Sequence, residues 1–353
     1  MQREQVWVGI DAGADLAAVC ALDERGRVLR EEELAASSES ICKHLAKLGP
    51  PAKILIGIEA GSTSIHLTRG LRAAGYKVRI LETYATSGFL QVRQNKTDRN
   101  DARGIADVVR LGADAVPEVM LKSVDGQRLR SELVLRDRLM KQRGGIENAL
   151  RAVLRINGRR IGRVYSGTHL ERVVRVELDG LRDQGSDISA FLEPALLLAT
   201  EVRRVLERAT RQLERVAKEN EVCSRLMTVP GVGCICALSF YTAVEDPWRF
   251  KHNEDVGPYF GLVPKLSQSG QISRSGRITK RGNRMTRTHL VTAAKSMIQQ
   301  QTIQCALRRW ALAVRERGGT SKAQVALARK LAIVMLSMWK SGQIFQPEQC
   351  FRV

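Results

Sequence analysis

Apolar positions along this chain change their spacing after its first eighty residues. Over the first eighty residues they come in short runs of strand length: Val6-Trp7-Val8-Gly9-Ile10, Leu16 to Leu22, Arg27-Val28-Leu29, Lys53 to Ile58, and Tyr76 to Leu81. Asp23-Glu24-Arg25-Gly26 reads as a turn, so the first three strands are predicted to form an antiparallel meander. Helices are predicted over Ser38 to Leu48 and through His66, Leu67 and Leu71. After Lys96 the period becomes helical, with Ile105, Val108, Val109 and Leu111 following a cap at Thr97 or Asp98.

From Glu118 to Asn220 strand signals vanish. Leu129, Leu133, Arg136 and Met140 recur at helical spacing, as do Leu150, Val153 and Leu154. A later helix is predicted from Glu193 to Ala217, through Leu196, Leu197, Val202, Val205, Leu206, Ala209 and Leu213. Gly144-Gly145 and the stretch from Gly158 to Gly167 read as breaks. Such stripes suit either a coiled-coil spacer that joins copies of the chain or a helical bundle between domains. A last domain opens at Leu226 to Gly233, with an apolar helix from Ile235 to Tyr241. Glycines 270, 276 and 282 predict a loop, a helix follows from Arg284, and Ala323 to Trp339 is apolar enough on every side to be a buried helix. The expected division is 1–117, 118–220 and 221–345: an α/β domain, a helical coiled-coil-like middle and a mostly α C-terminal domain.

Charge sharpens this division. The chain carries a net +20 at pH 7. Residues 1–117 hold 16 Lys/Arg and 15 Asp/Glu, so the remaining 41 basic and 22 acidic residues supply +19 of it. A surplus of that size implies a polyanionic partner, most simply nucleic acid. Lys265 to Lys295 contains eight Lys/Arg and no acid. Arg274, Arg277, Lys280, Arg281, Arg284 and Arg287 are therefore candidate phosphate contacts; a solvated face is the plainer reading of a basic run, but acid-free length and glycine content favour a clamp. Val229-Pro230-Gly231-Val232-Gly233 resembles a helix–hairpin–helix turn, in which N–H groups near Gly231 and Gly233 would grip a phosphate. A tight turn between core helices is its other reading.

The seven cysteines are scattered, and Cys234-x-Cys236 lacks zinc-ligand spacing, so no disulfide framework is implied and a reducing compartment fits. The first residues lack a signal-peptide core, and Val325 to Trp339 is broken by Arg329 and Lys330. A soluble intracellular protein, without a membrane partner, is expected.

Acids mark the chemistry. Asp11 ends the first strand and Glu59 a later one, while Asp98 and Asp101 stand one turn apart at a helix start. Two carboxylates on one face repel unless they splay or a cation bridges them, although acids also suit a helix start on their own account. An acid after strand one, another after a later strand and a pair on the following helix is the layout of the ribonuclease-H-like fold in its resolvase form. There the acids bind two divalent metals, and oxygen ligands favour Mg²⁺ or Mn²⁺. Gly9-Ile10-Asp11-Ala12-Gly13 also resembles the first phosphate loop of actin-like sugar kinases, but neither a second phosphate loop nor a glycine-rich adenosine site follows.

The chain resembles the DEDD insertion-sequence transposases, the group that includes Piv-type DNA invertases, over residues about 5 to 340. The resemblance rests on Lys96-Thr97-Asp98-x-x-Asp101-Ala102, on Val229 to Gly233, and on Ser269-Gly270 followed by Gly276-Arg277-Ile278-Thr279-Lys280-Arg281-Gly282. It is weakest in the helical middle. It implies a DNA transposase or site-specific recombinase with Asp11, Glu59, Asp98 and Asp101 as metal-binding tetrad. It implies Ser269 as a nucleophile joined covalently to DNA, although Ser267 competes on spacing. It further implies a structured bridge RNA that pairs with donor and target DNA. A homo-oligomer, dimer to tetramer, would bring the acids of one subunit to the serine of another. The setting implied is the bacterial cytoplasm, at the nucleoid. A serine hydroxyl needs activation, and the nearest histidines in sequence are His252 and His289. The metals, with Lys280 and Arg281, are expected to supply the activation and the charge stabilisation. Two rivals share parts of this pattern: a metal-dependent Holliday-junction-type endonuclease without a covalent intermediate, and a non-catalytic nucleic-acid-binding protein.

Overall fold

A computed structural model describes residues 5–91, 95–112, 114–269 and 272–348; within the strands, the side chains of Ser267, Ser269, Ile272, Ser273 and Ser275 lie outside the description. The chain divides into two compact units, Met1–Lys122 and Ser123–Val353.

The first unit runs β1 (Val6–Ala12), β2 (Leu16–Leu22), β3 (Val28–Ala35), α1 (Ser38–Leu45), β4 (Ile54–Glu59), α2 (Ser62–Ala73), β5 (Lys77–Leu81), α3 (Thr83–Leu90) and α4 (Asp98–Leu111). Its five-stranded sheet has the order β3-β2-β1-β4-β5. β1, β2 and β3 are antiparallel, whereas β4 and β5 run parallel to β1. This is the α/β, ribonuclease-H-like arrangement expected. Side chains alternate across the sheet. Val8, Ile10, Ile56 and Ile58 bury one face against Ile41, Leu45, Leu67 and Leu71 of α1 and α2. Ala18, Cys20 and Leu22 pack on the other face against Ala102 and Ala106 of α4.

Two features differ from expectation. β3 extends to Ala35 through Arg30, Glu31, Glu32 and Glu33, an exposed edge whose charges hide it from an apolar count. Helix α3 was absent from the sequence pattern; the Glu82 carboxylate caps it by accepting from the Ala85 N–H at 2.7 Å.

The second unit runs α5 (Val124–Ile156), α6 (Gly167–Arg182), α7 (Ser189–Glu219), α8 (Glu221–Leu226), α9 (Cys234–Val244), α10 (Val256–Tyr259), β6 (Pro264–Ser269), β7 (Ile272–Ile278), α11 (Arg284–Gln299), α12 (Ala306–Gly318) and α13 (Thr320–Ser341). α5 and α7 are antiparallel: Arg136 donates to Thr210 and Arg203 to Glu147. Near the tip of this pair Leu150, Leu154, Leu170, Val174, Leu196 and Ala199 form a core of their own with α6. At the base, Leu133, Leu213 and Ala217 join the large core of α8, α9, α11 and α13. Gly144-Gly145 does not break α5, which is continuous for 33 residues. Two mid-helix glycines cost about 1 kcal/mol each, which the packing of the adjoining Leu150 and Leu154 against α6 and α7 outweighs. The stretch read as a glycine loop is instead the antiparallel hairpin β6–β7. Its strands are polar and Leu266 is 71% exposed, so no apolar alternation betrayed it. No helix among the described residues is long and apolar enough to cross a membrane.

Candidate active site

Strand register brings the first two acids together. Ile10 pairs with Ile58 in the parallel β1–β4 ladder, and Asp11 and Glu59 are the next residues on each strand. Neighbouring strands lie ~4.8 Å apart, so the two carboxylates leave adjacent strands at the same level. Helix α4 adds the other pair. Thr97 caps it, its hydroxyl accepting from the Asn100 N–H at 3.2 Å, so Asp98 is the first helical residue and Asp101 lies one turn on.

What aims α4 is a pair of glycines. A Cβ on Gly9 would stand 1.9 Å from the Ala102 carbonyl oxygen and 2.4 Å from the Ala106 nitrogen. A Cβ on Gly57 would stand 2.2 Å from Cγ2 of Val109 and 3.1 Å from Cγ2 of Ile105. Gly9 and Gly57 pair in the ladder, so the helix lies directly on two bare backbones. Residues 102–106 lie over Gly9 and 105–109 over Gly57, two positions before Asp11 and Glu59. The first turn of α4 therefore projects towards the strand ends that carry those acids.

Charge coupling follows. The Asp11 carboxyl is raised above its ordinary value by burial, then by Asp101 and Asp98, with the Lys96 ammonium opposing. Glu59 is raised by burial, then by Asp11 and Asp101; Lys96 again opposes and Glu82 adds to the rise. Asp11, Glu59 and Asp101 are half-buried and Asp98 is exposed. Among the described residues no three His, Cys, Asp or Glu side chains stand close enough to enclose an ion. The four acids thus share one electrostatic environment without forming a ready-made cage. The donor set is oxygen only, and that chemistry fits a hard divalent cation. Glu82 and Lys96 are members of this environment that the acid pattern did not single out; Lys96 lay in the quoted motif, whereas Glu82 carried no signal.

The basic candidates sit in the second unit. Arg274, Arg277, Lys280, Arg281 and Arg284 are exposed, on β7, on the turn after it and at the start of α11. Lys280 adopts a left-handed backbone, φ 57°. The turn is locked: a Cβ on Gly282 would stand 2.1 Å from the Tyr259 carbonyl oxygen, and one on Gly261 2.3 Å from that of Arg281. Arg287 is half-buried and donates to the Phe260 and Arg281 carbonyls at 2.9 and 3.1 Å, so its guanidinium fixes this turn. Gly231, at φ 84°, abuts α11, where a Cβ would meet the Ala293 carbonyl oxygen at 2.7 Å. Gly233 precedes α9 in open space. In the hairpin Ser267 pairs with Arg274 and Ser269 with Ile272; Gly270, the other half of the serine motif, lies outside the described residues.

Two family models and several known proteins match this chain. Residues 8–157 match a family described as a DEDD transposase of the IS110 type, and residues 223–311 match "Transposase IS116/IS110/IS902 family". The transposase for insertion sequence element IS1111A of Coxiella burnetii is 30% identical over 339 residues, 94% of this chain and 88% of that one. A probable family 20 transposase of Pseudomonas aeruginosa is 25% identical over 96% of this chain and 98% of its own. Among solved structures, Thermus thermophilus RuvC aligns with 33% of this chain and 100% of its own, at 13% identity and a TM-score of 0.25.

Proposed function

The chain belongs to the IS110 family of DEDD transposases, and from that premise we propose that it cuts and rejoins DNA strands with a metal-bound acidic tetrad and a serine nucleophile. The observation that carries the reading is the meeting of Asp11, Glu59 and the first turn of α4 in one electrostatic environment. Asp11, Glu59, Asp98 and Asp101 would hold the ions, Mg²⁺ or Mn²⁺. Bound there, such an ion neutralises charge on the scissile phosphate and favours the deprotonated hydroxyl.

The chain's own groups do the rest. The serine is Ser269, with Ser267 as the competitor on the same strand. Its oxygen bonds to phosphorus, the strand oxygen leaves, and the serine proton ends on that oxygen. The phosphoserine link keeps the bond energy, so strands are exchanged without ATP. Lys280 and Arg281 offset charge on the phosphate in the transition state. Arg274, Arg277 and Arg284 hold the DNA backbone, Arg287 fixes the turn that presents them, and the Gly231–Gly233 turn adds a backbone contact. A bridge RNA would select donor and target. In a dimer or tetramer, serine and tetrad would come from different copies. Residues 1–117 then serve metal chemistry, 118–220 assembly, and 221–345 grip and the nucleophile, at the nucleoid of a bacterial cytoplasm.

The test is strand cleavage with Asp11→Asn and Asp101→Asn. Both variants should bind DNA as the unaltered protein does and lose Mg²⁺-dependent cleavage. Undiminished cleavage by either, or in EDTA, would overturn the tetrad. Cleavage that never leaves protein attached to DNA after denaturation would replace the covalent step by hydrolysis.

A further inference from the structure

Between residues 148 and 170 the sequence holds five arginines and no acid. This is the tip where α5 turns into α6, about a hundred residues before the hairpin clamp. Two of the arginines are occupied within the fold. Arg151 pairs with Glu147 at 3.5 Å, while Arg159 pairs with Glu177 at 3.7 Å and donates to the Gly180 carbonyl. The other three, Arg155, Arg160 and Arg163, are exposed and make no ion pair with a carboxylate among the described residues.

An aromatic ring stands beside one of them, Arg163. Tyr165 is 72% exposed. It stacks on His169 with ring centroids 5.4 Å apart and planes 13° from parallel, and the Arg163 guanidinium lies 5.5 Å from its centroid. The backbone holds this arrangement. The Tyr165 N–H donates to His169 Nδ1 at 3.2 Å, and the His169 N–H donates to the Ser166 hydroxyl that caps α6 at 3.1 Å. A large ring set beside a helix cap, stacked on an imidazole and touched by one guanidinium, is mostly in solvent and adds little to the core below it.

We propose that this tip binds single-stranded DNA, with Tyr165 as a stacking platform for a base and Arg155, Arg160 and Arg163 as phosphate contacts. The chemistry selects the partner. Unpaired arginines need a polyanion, and a second copy of the same tip would repel them. A duplex hides its base faces, so an exposed ring gives it nothing, whereas an unpaired strand offers a π-face at every nucleotide. Strand exchange on DNA exposes such strands. The inference rests on the chain acting on DNA and on nothing about the acids or the serine.

The experiment uses the full chain carrying Asp11→Asn, in EDTA, so that cleavage plays no part. A fluorescent thymidine oligonucleotide measures affinity, and the same oligonucleotide with 5-iodouracil is photocrosslinked and mapped by mass spectrometry. Crosslinks are expected on Tyr165 or His169. Tyr165→Ala should weaken binding about ten-fold and Tyr165→Phe should restore it. Arg160→Ala and Arg163→Ala should each lower the slope of log affinity against log salt by ~0.7. Because Tyr165 is exposed, these variants should unfold at the midpoint of the parent. Crosslinks confined to residues 264–287, with unchanged affinity for Tyr165→Ala, would overturn the proposal. An RNA of the same sequence bound ten-fold more tightly through Tyr165 would overturn its assignment to DNA. Failure of the tetrad variants to lose cleavage would leave it untouched.

Discussion

Gly9 and Gly57 face one another across the parallel β1–β4 pair, and each lies beneath α4. Their neighbours differ in kind. The space beside Gly9 is closed by α4 backbone, whereas that beside Gly57 is closed first by the Val109 side chain. Gly9→Ala must therefore lift the helix that carries Asp98 and Asp101, while Gly57→Ala is met partly by side-chain adjustment. Overpacking of this kind costs about 1–3 kcal/mol, and more where backbone must move. Gly9→Ala should lower the denaturation midpoint more than Gly57→Ala and abolish metal-dependent cleavage. Equal midpoints with intact cleavage would show that α4 is not seated by this contact.

Those glycines also mark how far the sequence could be read. Asp11, Glu59, Asp98 and Asp101 could be proposed from sequence because each stands at a strand end or in the first turn of a helix with clear apolar periodicity. The seat beneath α4 could not, because a glycine inside a β-branched run states only that a side chain is missing, not what replaces it. Edge strand β3 was cut short because its residues are charged, and β6–β7 was read as a loop because both its strands are polar. A hairpin held by backbone hydrogen bonds, with little apolar burial, leaves no period in its side chains. Helix α5 passed through Gly144-Gly145 because packing on α7 overrides local propensity. Glu82 reaches the acids only through the fold of β5 into α3.

The raised carboxyls give the acid cluster a signature in stability. For Asp11 and Glu59 the ordinary values are 3.8 and 4.5, and both are raised in the folded chain. Between those values and the raised ones, the native state holds more protons than the unfolded state, so stability falls as pH rises through that window. Asp11→Asn removes one of the repelling charges. In EDTA it should be more stable than the unaltered protein at neutral pH, by a margin that shrinks as pH falls. Mg²⁺ should stabilise the unaltered protein more than the variant. Urea denaturation across a pH series reads both effects; a margin independent of pH would mean that neither burial nor the other acids raise Asp11.

Another carboxylate is tied to stability for the opposite reason. Glu147 and Arg203 are both buried, with Arg203 Nε 2.7 Å from Glu147 Oε1, and Arg143 and Arg151 stand 3.7 and 3.5 Å from the same carboxylate. Removing one partner of a buried pair leaves an uncompensated charge, at a cost of about 3–5 kcal/mol. Glu147→Ala should therefore destabilise the α5–α7 pair by an amount of that order, whereas Glu147→Ala combined with Arg203→Met should recover much of it. Denaturation of the single and double variants decides the matter. A single variant within experimental error of the parent would show the pair to be solvated.

The two serines of β6 are distinguished by register. Ser269 pairs with Ile272 in the last described pair of the ladder, and Ser267 lies two residues further in, opposite Arg274. Two residues of strand span roughly 7 Å, so one backbone position is carried nearer the end of the hairpin than the other. Under the proposed function, a serine that reaches a phosphate at the tetrad of another copy is better carried near the end of an arm than along its length. Ser269→Ala should bind DNA normally, leave no protein–DNA adduct that survives denaturation, and fail to exchange strands. Ser267→Ala should keep the adduct at a rate within a few-fold of the parent, a modest loss expected from a neighbour that only shapes the strand. The reverse result would move the nucleophile to Ser267 and leave the tetrad in place. Adduct formation by both single variants, lost only when the two are combined, would mean that either hydroxyl can reach the phosphate, and that the hairpin rather than one serine sets the geometry.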